Sequence, residues 1–355
     1  MIFPQAQHFV SKEHFHNFFD ANLPPVIRVQ PGDFVHVETN DCFHGKISPT
    51  GTTSVQDIPK DERNPVTGPI FVEGAEPGDI LAVTLLDIRP QGVGIACCGP
   101  RVGQLSHWVD RSTTTFFDLS QNGKLVTMRE DTDETNDGGS HKPTQCRLGP
   151  ISFPARPMLG VIGVAPPPGQ VVSTMPAGPH GGNLDNQANG IGSTIYLPVF
   201  CSGALLSMAD MHASQGDGEI SGNGVEIGGN VLLTCRVLKS ADVYPDGDQW
   251  RLEFPVTETP THWITHGVVR ENIAQTTVVA CDEAAKILVG QWGLTPSQAF
   301  TFLSVHGDLG LCQSCHPDVG TQIAKMTVPK LDWCPRPFRM LHEQDEKQQD
   351  EEPHS

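Results

Sequence analysis

Short segments that alternate apolar and polar residues dominate the chain. Residues 26–38 (VIRVQPGDFVHVE) and 73–87 (EGAEPGDILAVTLLD) both place this alternation next to a Pro-Gly-Asp turn. A period of two is that of a strand with one buried face, and Gly, Pro and Asp are the residues that favour turns between strands. Residues 158–165, 225–237 and 250–256 have the same β character. The pattern therefore predicts a β-sandwich or barrel region.

Helical patterns are concentrated late in the chain. Residues 276–289 (TTVVACDEAAKILV) predict one helix, and residues 295–302 (TPSQAFTF) predict a second, capped by Thr295 with Pro296 at its first position. Runs of strands followed by helices are typical of a β-rich α+β protein. We expect three parts, divided near the polar loop at 131–142: a β-rich part at 1–150, a β-rich part with the late helices at 151–340, and an acidic tail at 341–355.

Composition and charge narrow the classes of function. The 355 residues carry a formal net charge of −18. Such a field repels phosphate backbones, so nucleic acid is not an expected partner. The sequence shows neither a signal-peptide pattern nor an apolar run that approaches the roughly 18 residues of a membrane span. We expect a soluble, cytoplasmic protein whose ten cysteines are thiols. The tail has six acidic residues and a single lysine, which predicts a disordered, solvated segment.

The stretch DMHASQGDGE (210–219) holds the first candidate chemistry. It follows the mostly apolar run 196–209. In an extended strand, Asp210 and His212 point to the same face. A carboxylate and an imidazole side by side are suitable ligands for zinc. The Asp-x-His pair alone is a weak signal, and a buried salt bridge or a surface loop is the alternative explanation, which these residues alone favour over a metal.

Two neighbouring polar groups strengthen the functional interpretation. Gln215, Asp217 and Glu219 alternate with glycines that allow tight turns. Upstream, GPHGGNLD (178–185) places three further candidates in another glycine-rich turn: His180, Asn183 and Asp185. Polar, glycine-rich loops beside apolar strands are typical of sites held on a rigid scaffold. Ordinary turn chemistry is the alternative.

Other motifs are weaker. Cys312, Cys315 and His316 match the attachment pattern of a c-type haem, but that chemistry needs an exported protein. The chain lacks a dinucleotide fingerprint, a phosphate-binding loop and the Gly-x-Ser-x-Gly elbow of α/β-hydrolases. A cysteine nucleophile, Cys201 or Cys235, stays open as a further alternative.

Six motifs together resemble the acetamidase/formamidase family. In chain order they are ETNDCFHGKI (38–47), NPVTGPIFVEGAEPGD (64–79), HGGNLD (180–185), YLPV (196–199), GALLS (203–207) and DMHASQGDGE (210–219). The resemblance extends from about residue 26 to about residue 330. The chain departs from the family at Ala209, where glycine is usual, and in LGLCQSCHPDVG (309–320).

The resemblance implies a fold and an activity. It implies a β-sandwich or jelly-roll-like body with a smaller α/β part, a homo-oligomer, and a divalent metal, zinc in first place and calcium second. The implied reaction is hydrolysis of formamide or acetamide to ammonia and the carboxylic acid. A catalytically inert metal-binding or assembly protein on the same fold is the alternative.

The motifs of the family also imply where the site lies. We expect Asp185, Asp210 and His212 to bind the metal. A bound cation would activate water and polarise the amide carbonyl. Glu219 is the expected general base and then acid. The remaining candidates orient substrate, stabilise the oxyanion or assist catalysis: Asp41, His180, Asn183, Gln215 and Asp217. Glu226 follows closely in sequence.

Overall fold

The computed structural model describes residues 2–129, 150–244, 247, 250–270, 272–315 and 321–332. The predicted loop at 131–142, the acidic tail at 341–355 and His316 lie outside these residues. Strands form 42% of the described residues and helices 14%. The prediction of a β-rich α+β protein with late helices is therefore confirmed. None of the helices in the described part is long and apolar enough to cross a membrane.

The strands are numbered in chain order. The first nine are β1 His8–Val10, β2 Phe15–His16, β3 Phe18–Asp20, β4 Ile27–Val29, β5 Phe34–Thr39, β6 Val66–Val72, β7 Ile80–Cys98, β8 Thr113–Leu119 and β9 Leu125–Met128. The next eight are β10 Ser152–Pro154, β11 Met158–Gly163, β12 Val171–Ser173, β13 Ala177–Gly178, β14 Gly181–Asn183, β15 Thr194–Pro198, β16 Leu206–His212 and β17 Glu226–Leu238. The last four are β18 Val256–Glu258, β19 His262–Arg270, β20 Asp308–Gln313 and β21 Thr321–Pro329. The α-helices are α1 Ser240–Val243, α2 Ile273–Gly290 and α3 Pro296–His306.

One large, curled sheet holds nineteen of these strands. The long strands β7 and β17 pair antiparallel over most of the length of β17, and β17 also pairs with β5. A twisted sheet of this size curls, because each strand is rotated relative to its neighbour. Strands from both sides of residue 150 pair here, and the division of the chain at that point stays a prediction.

The predicted turns and helices occur where the sequence places them. Pro-Gly-Asp segments separate β4 from β5 and precede β7. Helix α2 begins after Asn272, whose side chain accepts a hydrogen bond from the Gln275 amide. Helix α3 has Thr295 as its cap, with a reciprocal contact from Gln298, and Pro296 in its first turn. Both helices pack on the layer formed by β19 and β21, where Ala280, Ala284 and Leu303 join a second hydrophobic core.

Strand β16 positions the candidate site. It pairs with β11 on one side and with β6 on the other, and all seven of its residues are buried. Its apolar side chains Leu206, Met208 and Met211 belong to the main hydrophobic core. A core strand of this kind is a rigid support, because its neighbours fix it on both edges. The strand ends with Asp210 and His212 inside the protein, not at its surface.

Candidate active site

The end of β16 lies beside the start of β17. In the register of these two strands, His212 is opposite Glu226, and Met158 of β11 is opposite His212 on the other side. The loop between β16 and β17 returns Glu219 to the same place, and the turn after β14 brings Asp185. Three segments that are distant in sequence thus converge at one buried position.

We call the six ionisable residues at this position the acidic centre. Each is at most 6% exposed: Cys42, Asp185, Asp210, His212, Glu219 and Glu226. Their potential ligand atoms form two groups, Asp185–His212–Glu219 and Cys42–Asp210–Glu226, and the atoms of each group lie within 4.8 Å of one another. His212 Nε2 joins the groups, since it lies 3.5 Å from Asp210 Oδ1 and 3.0 Å from Glu226 Oε2. The predicted shared face of Asp210 and His212 is confirmed.

His212 is oriented by Gln215. With the tautomer that the contacts indicate, His212 Nδ1 donates to Gln215 Oε1 at 2.8 Å, and Gln215 Nε2 donates to the Asp185 carbonyl at 2.5 Å. A histidine that donates from one nitrogen presents the lone pair of the other to a metal. The structure therefore gives Gln215 a positioning contact, whereas the sequence predicted a substrate-binding role.

Gln313 connects the two carboxylates of the first group. Its Nε2 donates to Asp185 Oδ2 and, at 3.1 Å, to Glu219 Oε2. Sequence reasoning did not name Gln313, although it falls in the segment 309–320 that departs from the family pattern. It also did not name Cys42, which follows the predicted Asp41 directly. A signal was present for both residues, but a role could not be assigned to either from spacing.

The backbone of the acidic centre is unusual at the ligand residues. Asp185, Asp210 and Glu219 have φ values of 44°, 56° and 42°. Non-glycine residues are uncommon in this left-handed region, and strain of this kind concentrates at functional sites. Gly160 packs directly against the side chains of Asp210 and Asp185. A Cβ at position 160 would stand only 2.4 Å from Asp210 Oδ2 and 2.6 Å from Asp185 Oδ1, so glycine is needed there. Ala209 has no positive φ, so its methyl group fits within a small apolar cluster.

Burial and mutual repulsion shift the pKa values of these groups. Burial raises the pKa of Glu219 to about 7 and that of Glu226 to about 8. Burial, and then repulsion from Glu219, raises the pKa of Asp185 well above its usual range. Burial alone would lower the pKa of His212, but attraction by Glu226 and Asp210 raises it well above its ordinary value. The centre therefore attracts positive charge.

Three atoms of the acidic centre have no hydrogen-bond partner within the described residues. They are Asp185 Oδ1, His212 Nε2 and Glu226 Oε2. A buried, unpartnered polar atom is expensive unless a ligand completes it. Carboxylate oxygens and an imidazole nitrogen are ligands that zinc accepts. The residues present thus fit a divalent cation.

The other predicted residues occupy different surroundings. Asp41 Oδ1 accepts hydrogen bonds from the amides of Phe43 at 2.8 Å and Gly45 at 3.0 Å, and burial raises the pKa of Asp41. Asp41 also lines a cavity of about 350 Å³. Asp217 lies outside the acidic centre: its side chain is 45% exposed and pairs with Lys325 at 2.6 Å.

His180 and Asn183, both in the motif at 178–185, are buried. The His180 ring contacts Phe19, with a centroid distance of 5.0 Å, and burial lowers the pKa of His180 to about 4. His180 Nε2 and Asn183 Oδ1 lack a hydrogen-bond partner among the residues described here. A neutral imidazole and an amide oxygen with free bonding capacity can orient a polar substrate.

The cysteine alternatives find little support. Cys201 and Cys235 are buried, and burial raises the pKa of both thiols, that of Cys235 to about 12. A thiol of this kind is inert, because the thiolate is the nucleophile. Cys312 and Cys315 are also buried, and burial raises the pKa of each.

Comparison with known proteins agrees with the resemblance. The model of the acetamidase/formamidase family matches residues 4–173 and 169–309. A formamidase from Methylophilus methylotrophus is 28% identical over 262 residues, which are 63% of this chain and 64% of that formamidase. An acetamidase from Mycolicibacterium smegmatis is 27% identical over 345 residues, 81% of this chain and 84% of that protein. The aligned part of the chain therefore spans just under two thirds of the formamidase and more of the acetamidase.

A solved structure shows the same fold. The acetamidase from Bacillus halodurans is 33% identical, and the alignment covers 90% of this chain and 97% of that one with a TM-score of 0.77.

Proposed function

Because this chain belongs to the acetamidase/formamidase family, we propose that it hydrolyses a short-chain aliphatic amide to ammonia and the carboxylic acid. The observation that carries the proposal is the acidic centre, where Asp185, His212 and Glu219 converge with unpartnered ligand atoms. The names of the related formamidase and acetamidase support the choice of substrate class.

Asp185, Asp210 and His212 are the proposed ligands of a divalent cation. Zinc is the first choice, because imidazole is a ligand that zinc favours, whereas calcium takes oxygen ligands almost alone. When bound, the cation would lower the pKa of water and polarise the amide carbonyl. Gln215 and Gln313 hold two of these ligands in place through hydrogen bonds.

Glu219 is the proposed proton carrier. Its carboxylate lies within 4.8 Å of ligand atoms of Asp185 and His212, and its Oε2 accepts a hydrogen bond from Gln313. Amide hydrolysis needs a group that takes a proton from water and delivers one to the departing nitrogen. A buried carboxylate fixed beside the reacting atoms meets both needs.

We further propose that the cavity lined by Asp41 is the route by which substrate approaches. Its wall includes Lys12, Asn40 and Asp41, and it also includes Ile95, which is opposite Glu226 in the sheet. Polar groups that line such a cavity can bind an amide through both its carbonyl and its NH₂ group. His180 and Asn183 are proposed to orient the substrate deeper in the fold.

The proposal is tested by initial rates with formamide, acetamide, propionamide and urea, with metal analysis of the same sample. We expect turnover of a small amide, loss of activity after chelation, and recovery with zinc. Glu219→Gln should lose activity, while Glu253→Gln is a matched control, because the Glu253 side chain is 73% exposed. Full activity of metal-free protein would contradict the role of the cation.

A metal-loaded protein without turnover of any of these amides would instead favour the inert metal-binding alternative. The homo-oligomer expected from the resemblance stays a proposal, and size-exclusion chromatography with light scattering tests it. The cytoplasmic location expected from the sequence also stays a proposal.

A further inference from the structure

We propose that the acidic centre holds two cations, the second of them bound by Cys42, Asp210 and Glu226. This inference extends the proposed function, because it adds a cation beside the first, but it concerns binding and can be tested without turnover. The three side chains come from the turn after β5, the end of β16 and the start of β17. Their ligand atoms lie within 4.8 Å of one another.

Two of the three ligands, Cys42 and Glu226, are positioned by contacts of their own. The turn that carries Cys42 is closed by Asp41, which accepts from two amides, and the Cys42 carbonyl accepts from the Asn64 amide at 2.9 Å. Glu226 Oε1 accepts from the Gly224 amide at 3.0 Å. This leaves Glu226 Oε2 buried and without a hydrogen-bond partner among the described residues. A site whose ligands are oriented before binding is the kind that holds a metal tightly.

The unpartnered atoms indicate a cation at this second position. Glu226 Oε2 lies 3.0 Å from His212 Nε2. If His212 Nε2 binds the first cation through its lone pair, this nitrogen carries no proton. Glu226 Oε2 then has no positive group or donor at His212 to face. A buried carboxylate oxygen without a partner is costly, and a second cation between Glu226 and Cys42 completes it.

The acidic centre holds more buried carboxyl groups than one divalent ion balances. Four carboxyl groups, Asp185, Asp210, Glu219 and Glu226, are each at most 6% exposed, and one imidazole accompanies them. One divalent cation balances two carboxylates, which leaves two further carboxyl groups and the Cys42 thiol as ligands for a second. Buried charges persist in proteins when they are paired or coordinate metals.

Asp210 is the residue that joins the two positions. It belongs to the group of Cys42 and Glu226, yet its Oδ1 lies 3.5 Å from His212 Nε2 of the other group. A carboxylate has two oxygens and can therefore bridge two metals, which in two-metal hydrolytic sites stand about 3.5–4 Å apart. The left-handed backbone of Asp210, with φ of 56°, is consistent with a side chain placed for this contact.

Cys42 decides which metal the second position prefers. A thiolate is a soft ligand and selects zinc over calcium or magnesium. The alternative is a protonated Cys42 thiol that simply donates to Glu226. The two states differ in an observable way, because only a metal-bound thiolate gives a charge-transfer band with cobalt.

The experiment removes metal with a chelator, reloads the full chain with Zn²⁺ or Co²⁺, and measures bound metal by native mass spectrometry. We expect two Zn²⁺ per chain and a near-ultraviolet thiolate-to-cobalt band. Cys42→Ser should bind one metal and lose the band. Cys97→Ser is the matched control: Cys97 is also buried and packs in the same apolar cluster as Cys42, so both signals should persist.

Glu226→Gln provides a second test that leaves Cys42 in place, and it should also lower the stoichiometry from two metals to one. If Cys42→Ser does not fold, this variant and the cobalt spectrum of the wild-type protein decide. One metal per chain in the wild type, or two that persist in both variants, would overturn the inference. If the wild-type protein binds two metals but does not hydrolyse the amides, only the proposed function is contradicted. If it hydrolyses an amide at the full rate with one metal bound, only the second site is contradicted.

Discussion

Two regions of this protein bury ionisable groups in opposite ways. The acidic centre at the end of β16 gathers four carboxyl groups, with unpartnered atoms on Asp185 and Glu226. On the buried face of helix α2, Glu283 is equally buried, at 1% exposure, but it is fully paired. Its carboxylate accepts from the amides of Glu253 and Phe254 at 2.9 and 3.1 Å and from Lys286 Nζ at 2.7 Å.

Two buried histidines show the same contrast. His266 of β19 donates from Nδ1 to the Pro255 carbonyl at 2.7 Å and accepts at Nε2 from Asn186 Nδ2 at 2.9 Å. By contrast, His212 of β16 has an Nε2 without a hydrogen-bond partner in the part of the chain that the structure describes. Burial of a charge therefore does not by itself mark a site. A site is marked instead by a cluster of buried groups of like charge whose polar atoms lack hydrogen-bond partners, because a ligand must supply the missing contacts.

The strongest test of this contrast is Glu219→Gln. We expect its kcat for a small amide to fall by about 10²–10⁴-fold, the usual contribution of a general acid or base. The metal-free variant should unfold at the same or a higher temperature than metal-free wild type, because one of the mutually repelling carboxyl groups is gone. Rate measurements and calorimetry on the same samples check both parts. Normal turnover would exclude the proposed role of Glu219.

Glu283→Ala should have the reverse profile. Removal of this carboxylate takes the acceptor from the Glu253 and Phe254 amides and the nearest ion-pair partner from Lys286, so the free energy of unfolding should fall by about 3 kcal/mol. The kcat of the folded protein should be unchanged. Urea unfolding measures the loss, and Asp282→Ala on the same helix is the control, since the Asp282 side chain is 65% exposed. A loss of kcat without a loss of stability would break the comparison.

Acid should weaken the paired region through His266. Burial lowers the pKa of His266 from 6.5 to about 4, so between these values the unfolded chain binds more protons than the folded one. Stability is then lost as pH falls through this window, by up to about 1.4 kcal/mol per pH unit for one group. In His266→Asn, urea midpoints should fall less steeply between pH 6.5 and 4. The exposed His306→Asn is the control and should keep the wild-type slope.

Asp217→Asn should have the smallest effect. The pair of Asp217 with Lys325 is half exposed, and such pairs contribute about 0–1 kcal/mol. We expect a change in stability within this range and a fall in kcat/KM of less than about tenfold. A loss as large as that of Glu219→Gln would support the catalytic role that the sequence predicted for Asp217.

Much of the local structure was predictable from the chain. The Pro-Gly-Asp turns, the helix at 273–290 and the cap at Thr295 follow from period, propensity and capping chemistry, which act within a few residues. The sequence also placed Asp210 and His212 on one face, although the structure achieves this with Asp210 at a φ of 56°, outside extended geometry. The motif order indicated the family, and Asp185 and Glu219 were identified with it.

The membership of the acidic centre depended on tertiary structure. Cys42 and Glu226 meet Asp210, and Gln313 meets Asp185 and Glu219, only because β5, β16, β17 and β20 take a particular register in a curled sheet. The same register turns Gln215 toward His212 and leaves Asp217 at the surface with Lys325. Sequence spacing encodes the direction of a side chain within one element. Which side chains from different elements meet is decided by strand pairing over long separations, and by the few left-handed residues that redirect the chain at the site.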